Sequence, residues 1–173
     1  MRPLDILVVH LELPLHDRNS ASLRLFRMLE LLAADGHRIT YLACSGLGQD
    51  RYAAELERLG IDVHPVDPQR SARIGRRLDH PPLDLIALLE RRAFDVAILS
   101  FFHMAELYLD LLRRHAPTTR IVVDTVDVHF VRELRGAEVS GAPAERARAL
   151  GTSEGERRVY ARADALLAVS DED

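Results

Sequence analysis

The sequence predicts an α/β protein in which a mostly parallel sheet lies between two layers of helices. Six short apolar segments recur along the 173 residues, and segments with helical periodicity lie between them. Because strands that are separated by helices cannot pair as hairpins, the sheet should be parallel and its crossovers right-handed. The composition, 47% hydrophobic and 29% charged, is that of a globular chain rather than a disordered one. We therefore predict one Rossmann-like domain, a three-layer α/β/α sandwich, over residues 1–173.

The predicted strands are short aliphatic runs bounded by polar or turn residues. They lie at 4–9, 38–43, 61–66, 95–99, 120–124 and 165–169. Pro65, in the third run, has no backbone N–H to donate to a neighbouring strand, so this strand is expected at an edge of the sheet. The three-two-one order of a doubly wound sheet would also place it there.

The predicted helices are segments whose apolar residues recur every three or four positions. They lie at 20–35, 50–59, 83–92, 104–115 and 128–138. In the first of them, Leu25 and Leu29 share one face, and Gly36 supplies a C-terminal stop.

The part of the chain after residue 139 gives fewer helical signals. Ser153 and Glu156 have the spacing of a capping box, which predicts that a last helix begins there and ends near residue 163. The segments 140–152 and 67–82 are predicted as loops that contain a short helix at most. The chain ends just after the last predicted strand, where a doubly wound sheet normally adds a further helix. We therefore expect that a second domain is absent from this chain.

The charge and cysteine content disfavour several classes of protein. A net charge of -4, a pI near 6.1 and 5% aromatic residues provide neither a basic surface nor stacking platforms, so no nucleic-acid partner is expected. Cys44 alone cannot form an internal disulfide, and the first apolar run is too short and too polar for a signal peptide. No window approaches the roughly 20 apolar residues of a membrane span. We expect a cytoplasmic protein, with any membrane contact peripheral and at the inner face.

Four arginines in the segment 67–82 leave one further possibility open. They are Arg70, Arg73, Arg76 and Arg77. Such a run is typical of a solvated surface, and Asp67 and Asp79 offset part of its charge. Alternatively, a positive flank would favour an anionic lipid surface or a phosphorylated acceptor.

Glycine is missing where a dinucleotide-binding fingerprint would need it. The residues after Val9 read HLELPLHDRNSASLR and contain no glycine, so binding of NAD or FAD is not expected. Gly46 and Gly48 follow the second strand without the third glycine, and we interpret them as a turn.

Small polar residues precede and open the first predicted helix. Asn19, Ser20 and Ser22 could present free N–H groups and hydroxyls to a phosphate or a sugar, and Arg24 could add positive charge. The alternative is that Asn19 or Ser20 only caps the helix and that Arg24 belongs to a solvated face.

The fourth strand is followed by Phe101, Phe102 and His103. An aromatic pair beside a histidine can form the floor of a sugar site, with an apolar surface below and a polar group alongside. The alternative is that both phenylalanines belong to the core and that His103 lies in the first turn of its helix.

The fifth strand ends in the densest group of titratable residues. Asp124, Asp127 and His129 follow a buried run at the edge of an open sheet where ligands usually bind. A carboxylate and an imidazole could orient an acceptor hydroxyl or stabilise positive charge on a reacting sugar. Alternatively, Asp127 is an N-cap. Metal ligation is the least favoured option, because this spacing matches no strong metal signature.

Four passages together resemble the N-terminal domain of GT-B-fold glycosyltransferases, in particular family 4. They are ILVVHLELPLHDRNSASLRLFRMLELLAADGHRITYLA, FDVAILSFF, RIVVDTVDVHFVRELR and ERRVYARADALLAVSDED. The resemblance implies a two-domain enzyme that moves a sugar from a nucleoside diphosphate donor to a hydroxyl acceptor in glycan or polysaccharide biosynthesis. This half would hold the acceptor, and the absent C-terminal half would bind the donor.

The same resemblance implies roles for particular residues. Asp127 is the nearest match to a catalytic residue after the fifth strand, with His129 second. Ser20 and Ser22 stand where relatives often have glycines that contact donor phosphates, so a role in hydroxyl binding stays open. No cofactor and no metal are implied, and the 173-residue chain alone is expected to be inactive. Two alternatives remain: a sugar-nucleotide epimerase of the same architecture, and a non-catalytic binding module.

Overall fold

The computed structural model describes residues 2–44, 50–65 and 83–170, in which strands and helices alternate. The strands are β1 (Asp5–His10), β2 (Arg38–Ala43), β3 (Asp62–Pro65), β4 (Val96–Ser100), β5 (Arg120–Asp124) and β6 (Ala165–Leu167). The helices are α1 (Ser20–Ala34), α2 (Asp50–Arg58), α3 (Leu83–Arg91), α4 (Phe102–His115), α5 (His129–Ser140) and α6 (Pro143–Tyr160). The predicted α/β class is confirmed.

All six strands form one parallel sheet in the order β3-β2-β1-β4-β5-β6. β3, which contains Pro65, lies at an edge, as the missing N–H predicts. The chain builds outward from β1 in one direction and then returns to add β4 on its other side. The strand order therefore reverses between β1 and β4, and open sheets of this kind bind ligands in the crevice beyond the carboxyl ends of the strands at such a point.

Alternate side chains of β1 enter two separate cores. Ile6 and Val8 join the cluster that packs against α1 and α2, whereas Leu7 and Val9 join the cluster beneath α3, α4 and α6. This alternation follows from the two-residue period of a strand, and burial on both faces explains why the run is continuously apolar. The two cores produce the predicted three-layer sandwich.

The prediction for the C-terminal part is wrong over residues 140–152. α6 begins at Pro143, so most of the predicted loop is helical and Ser153 lies inside the helix rather than at its start. Gly141, in the left-handed conformation with φ of 67°, ends α5, and Pro143 stands in the first turn of α6. Both residues are ordinary helix stop and start signals. Gly151 and Gly155, which lower helix propensity, obscured the pattern.

Two of the sequence features lie outside the described residues. These are the Gly46 and Gly48 turn and the arginine-rich segment 67–82.

Candidate functional site

Three strand ends lie side by side at the crevice of the sheet. β1 ends at His10, β4 at Ser100 and β5 at Asp124, and Ser100 and Asp124 are direct partners in the register. The carboxyl ends of neighbouring parallel strands meet at one edge, so residues far apart in sequence become neighbours here. This edge contains the predicted site residues.

A buried ion pair connects α1 to β5. The carboxylate of Asp124 is fully buried, and its Oδ2 accepts a hydrogen bond from Arg24 Nη1 at 2.8 Å. The Arg24 side chain is 33% exposed, so it remains partly in contact with water although its partner is fully buried. Because Asp124 compensates much of the charge on Arg24, that side chain attracts anions less than a free arginine would.

Two buried oxygens beside this pair have no hydrogen-bond partner among the described residues. They are Asp124 Oδ1 and Ser100 Oγ. Unpaired buried polar atoms cost free energy, and each needs a physical reason. Both oxygens belong to residues at the carboxyl ends of their strands, so spare hydrogen-bonding capacity is concentrated at this edge.

An aromatic and imidazole cluster forms where α4 and α5 begin, next to the end of β1. The ring centroid of His129 lies 5.9 Å from Phe101, 5.1 Å from Phe102 and 4.9 Å from His103. Phe101 also lies 5.5 Å from His10, at the end of β1. Three histidines from three different elements therefore surround two phenylalanines.

Two imidazoles of this cluster, His10 and His129, are largely shielded from water, whereas His103 is exposed. Burial lowers the pKa of His10, although Nδ1 lies 2.8 Å from the carbonyl oxygen of Glu12 and the nearby charge of Asp124 opposes the shift. Burial also lowers the pKa of His103, and the adjacent His129 lowers it further. At neutral pH, His10 and His103 therefore act as neutral hydrogen-bonding groups rather than as cations.

Strained backbone accompanies two of these strand ends. Among the described residues other than glycine, only Phe101 (φ 69°) and Val126 (φ 55°) have positive φ. Bulky and β-branched residues rarely adopt this conformation, and such strain concentrates at functional sites. Phe101 directly follows β4, and Val126 lies two residues after β5.

A carboxylate from α6 caps the start of α5. Glu156 is fully buried, and its two oxygens accept the backbone N–H groups of His129 at 2.9 Å and Phe130 at 3.3 Å. The alternative that Asp127 is the N-cap is wrong: the cap residue is Val128, which offers no side-chain acceptor. The Asp127 carboxylate instead pairs with Arg132.

The start of α1 lies at the carboxyl end of β1, beyond the loop 11–19. Asn19 is the N-cap, and its Oδ1 accepts the N–H of Ser22 at 2.7 Å. The Ser22 side chain is buried, whereas Ser20 is exposed. The capping alternative is therefore confirmed for Asn19, and the N–H of Ser22 already has a partner.

The loop 11–19 is tied to α2 by several contacts, among them an ion pair between Arg51 and Asp17. His16 Nε2 lies 2.5 Å from Glu55 Oε2, and the hydroxyl of Tyr52 donates to Asp17 Oδ1 at 2.5 Å. These contacts fix the loop that leads from β1 to the start of α1.

The structure places the predicted site residues on the loops and helix starts that follow three strand ends. Arg24 contacts Asp124, His103 contacts His129, and Asp127 lies two residues before His129. Sequence reasoning missed His10, although its place at the end of the first strand was a usable signal. Glu156 was misassigned to a capping box on its own helix.

Neither a metal centre nor a membrane span is found in residues 2–44, 50–65 and 83–170. No group of three or more histidine, cysteine or acidic side chains is arranged to hold a metal ion there. No helix in these ranges is long and apolar enough to cross a bilayer.

Comparison with known proteins gives one match. A family model described as "Glycosyl transferase 4-like domain" matches residues 21–173, which is all but the first 20 residues of the chain. No curated protein and no solved structure matches.

Proposed function

Because the chain belongs to the glycosyl transferase 4-like domain family, we propose that it acts in the transfer of a sugar from a nucleoside diphosphate donor to a hydroxyl acceptor. The chain would form the N-terminal, acceptor-side domain, and a second Rossmann-like domain would hold the donor nucleotide. The observation that carries this proposal is the family match over residues 21–173. The crevice at the carboxyl ends of β1, β4 and β5 is the natural place for the reaction.

In this proposal, His129 and Asp127 position or polarise the acceptor hydroxyl. His129 is supported by its place in the aromatic cluster, where partial exclusion of water strengthens each polar contact. Asp127 is supported more weakly, because its carboxylate is already paired with Arg132. We therefore rank His129 above Asp127 as the group that touches the acceptor.

Other residues would bind the sugar and the diphosphate. His103 is exposed, its ring lies 3.8 Å from that of the buried Phe102, and in this proposal its imidazole would supply a polar group to the sugar. Ser20 presents an exposed hydroxyl at the start of α1, near the positive end of the helix dipole. Ser22 and Arg24 would hold this end of the helix in place, and Arg24 would orient the donor rather than attract it.

The proposed reaction uses no metal and no cofactor other than the donor itself. Charge that develops on the leaving diphosphate must be stabilised by preorganised donors, and we assign these to the second domain. Residues 1–173 alone should therefore bind ligands without catalysing transfer. We further propose that the protein acts in the cytoplasm, with a peripheral contact at the inner face of the membrane when the acceptor is lipid-linked.

The experiment is an assay of the full-length protein with a panel of nucleotide sugars and candidate hydroxyl acceptors. We expect release of nucleoside diphosphate that requires an acceptor, and a fall in kcat of about a hundredfold in His129→Ala. Arg27→Met is the matched control, since Arg27 lies on the exposed face of α1 and pairs with Glu30.

Three results would contradict parts of this proposal. Consumption of the donor without any acceptor would indicate an epimerase. Binding without consumption would indicate a non-catalytic module. Robust transfer by residues 1–173 alone would contradict the division of labour between two domains.

A further inference from the structure

Glu156 is a fully buried carboxylate at the candidate site to which sequence reasoning gave no functional role. We propose that Glu156 is a positioning residue that holds the imidazole of His129 with its proton on Nδ1, so that Nε2 accepts a hydrogen bond from the acceptor hydroxyl. This inference rests on the proposed role of His129 in sugar transfer. In this arrangement, Glu156 determines which nitrogen of the His129 ring contacts the substrate.

The first support is the way α6 holds its carboxylate against the start of α5. Both oxygens accept backbone N–H groups, Oε1 from His129 and Oε2 from Phe130. These bonds fix the backbone of His129, and they also fix the carboxylate next to its side chain. The residue that is anchored is therefore the same residue whose ring enters the aromatic cluster.

The second support is the orientation of the ring. His129 Nδ1 is buried and lies 3.4 Å from Glu156 Oε1, which is an ion-pair contact without the alignment of a hydrogen bond. No other partner for Nδ1 is found among the described residues. Contacts of this kind are often long in the free enzyme and tighten when substrate binds. A small rotation of the ring converts this contact into a hydrogen bond from Nδ1–H to the carboxylate.

The third support is the set of charges around the imidazole. Within the described part of the chain, His129 is the only ion-pair partner of Glu156. Arg132 on the same helix pairs with Asp127, and Glu133 accepts a hydrogen bond from Thr152. His103, the remaining titratable neighbour in ring contact, has a pKa that is lowered by burial. The carboxylate that faces Nδ1 is therefore that of Glu156.

A purely structural role as a helix cap would not require this arrangement. Caps normally come from a short side chain at the helix start, whereas this one comes from a different helix, 27 residues later in sequence. Burying a carboxylate is costly unless it is well paired. A carboxylate that orients a histidine through Nδ1–H is a known solution for fixing a tautomer in acid–base and metal sites.

The first test measures the tautomer directly in the full-length protein. Nitrogen-15 NMR of the histidine side chains, with His129→Gln to identify the signal, should show that the neutral ring of His129 carries its proton on Nδ1. In Glu156→Gln the anionic acceptor is lost, and the ratio of the two tautomers should shift by about tenfold toward Nε2–H.

The matched control is Thr152→Val. Thr152 lies one turn before Glu156 on α6. Its hydroxyl donates a hydrogen bond to Glu133 on α5, so Thr152 connects the same two helices without contact to the imidazole of His129. This variant should leave the tautomer ratio of His129 unchanged. Equal shifts in the two variants would show that Glu156 acts only by holding the helices together, and would overturn the inference.

The second test measures transfer kinetics. Glu156→Gln should lower kcat by about ten- to a hundredfold with the donor KM within about twofold, whereas Thr152→Val should leave both within about twofold. A proton on Nε2 in the unmodified protein, or an unchanged kcat in Glu156→Gln, would overturn the inference. Absence of transfer by the unmodified protein would instead overturn the proposed function, because the tautomer is measured without turnover.

Discussion

The pair formed by Arg24 and Asp124 shows how single residues determine the geometry of this site. Asp124 is fully buried, and its ion-pair partner comes from a position 100 residues earlier in the chain. Removing one member of such a pair leaves an uncompensated charge in the interior. The pair therefore contributes to stability as well as to the shape of the crevice.

We expect Arg24→Met to lower the free energy of unfolding by about 2–3 kcal/mol, since Asp124 loses its charged donor while part of the site stays open to water. Chemical denaturation at pH 7 measures this loss. Arg27→Met, which removes an exposed pair on the same helix, should change the stability by about 0.5 kcal/mol or less. Similar losses in both variants would contradict the burial argument.

Asp5, at the start of β1, predicts a dependence of stability on pH. Hydrogen bonds from Arg38 and Arg92 lower the pKa of Asp5 from 3.8 to about 2, with burial opposing the shift. A carboxyl group whose pKa is lower in the folded state stabilises the fold above its unfolded pKa, near 3.8. That contribution is lost as the pH falls through about 2.

Denaturation between pH 4 and pH 2 should therefore show a decline in stability that is smaller in Asp5→Asn. We expect a difference of about 1 kcal/mol, less than the full shift implies, because solvent screens this partly exposed group. Identical declines in the two proteins would contradict the assignment.

Sequence could predict several residues that lie near the ends of the central strands but not which atoms they contact. Arg24, His103 and His129 were identified because they follow strand ends, and the parallel topology brings strand ends together. Glu156 was missed because its role depends on a long-range packing of α6 against α5. No local spacing encodes the contact between a carboxylate and a helix start 27 residues earlier.

At the scale of elements, the strands were predictable from sequence, whereas the hairpin formed by α5 and α6 was predictable only in part, because α6 begins well before its predicted start. Strand positions followed from apolar runs, and their boundaries agree within about two residues because burial on both faces leaves a continuous pattern. α6 was harder to predict, since it buries only a few side chains, among them Ala149 and Val159. A mostly solvated helix has a weak apolar period, so its start signals are more informative than its periodicity.

Gly141 and Gly136 offer a matched test of that hairpin. Gly141 has φ of 67° at the end of α5, so Gly141→Ala should lower the free energy of unfolding by about 1 kcal/mol. Gly136 lies inside α5, and no atom lies within 4 Å of the position that an added methyl group would take. Gly136→Ala should therefore raise the stability by about 0.5–1 kcal/mol. Thermal denaturation should show shifts of opposite sign, and shifts of the same sign would contradict the helix boundary.

At the scale of the whole molecule, the order of the sheet was predictable because few arrangements of alternating strands and helices satisfy right-handed crossovers. Pro65 identified one edge strand. The division of the interior into two cores follows from the same arrangement, as each strand contributes alternate side chains to opposite faces. The identity of the acceptor does not follow from the topology, because it depends on the side chains at the carboxyl ends of the strands.

Cys44 reports on the stability of the whole fold. Burial raises its pKa to about 11, and its sulfur lies 3.1 Å from the hydroxyl of Tyr108 within the core beneath α4. Alkylation at pH 8 should therefore require global unfolding and be at least about a thousandfold slower than that of an exposed thiol. Val139→Cys is the control, because Val139 is 91% exposed. Comparable rates at the two positions would contradict a closed core.

The long reach of the contact to Asp124 also has a consequence for biosynthesis. As the polypeptide leaves the ribosome, Arg24 emerges a hundred residues before the acid that neutralises it, and Glu156 follows later still. Closing such distant contacts is slow compared with forming local helices. The crevice edge is therefore completed only after residue 156 has emerged, and a nascent chain that is stalled before Glu156 would display an incomplete crevice to chaperones.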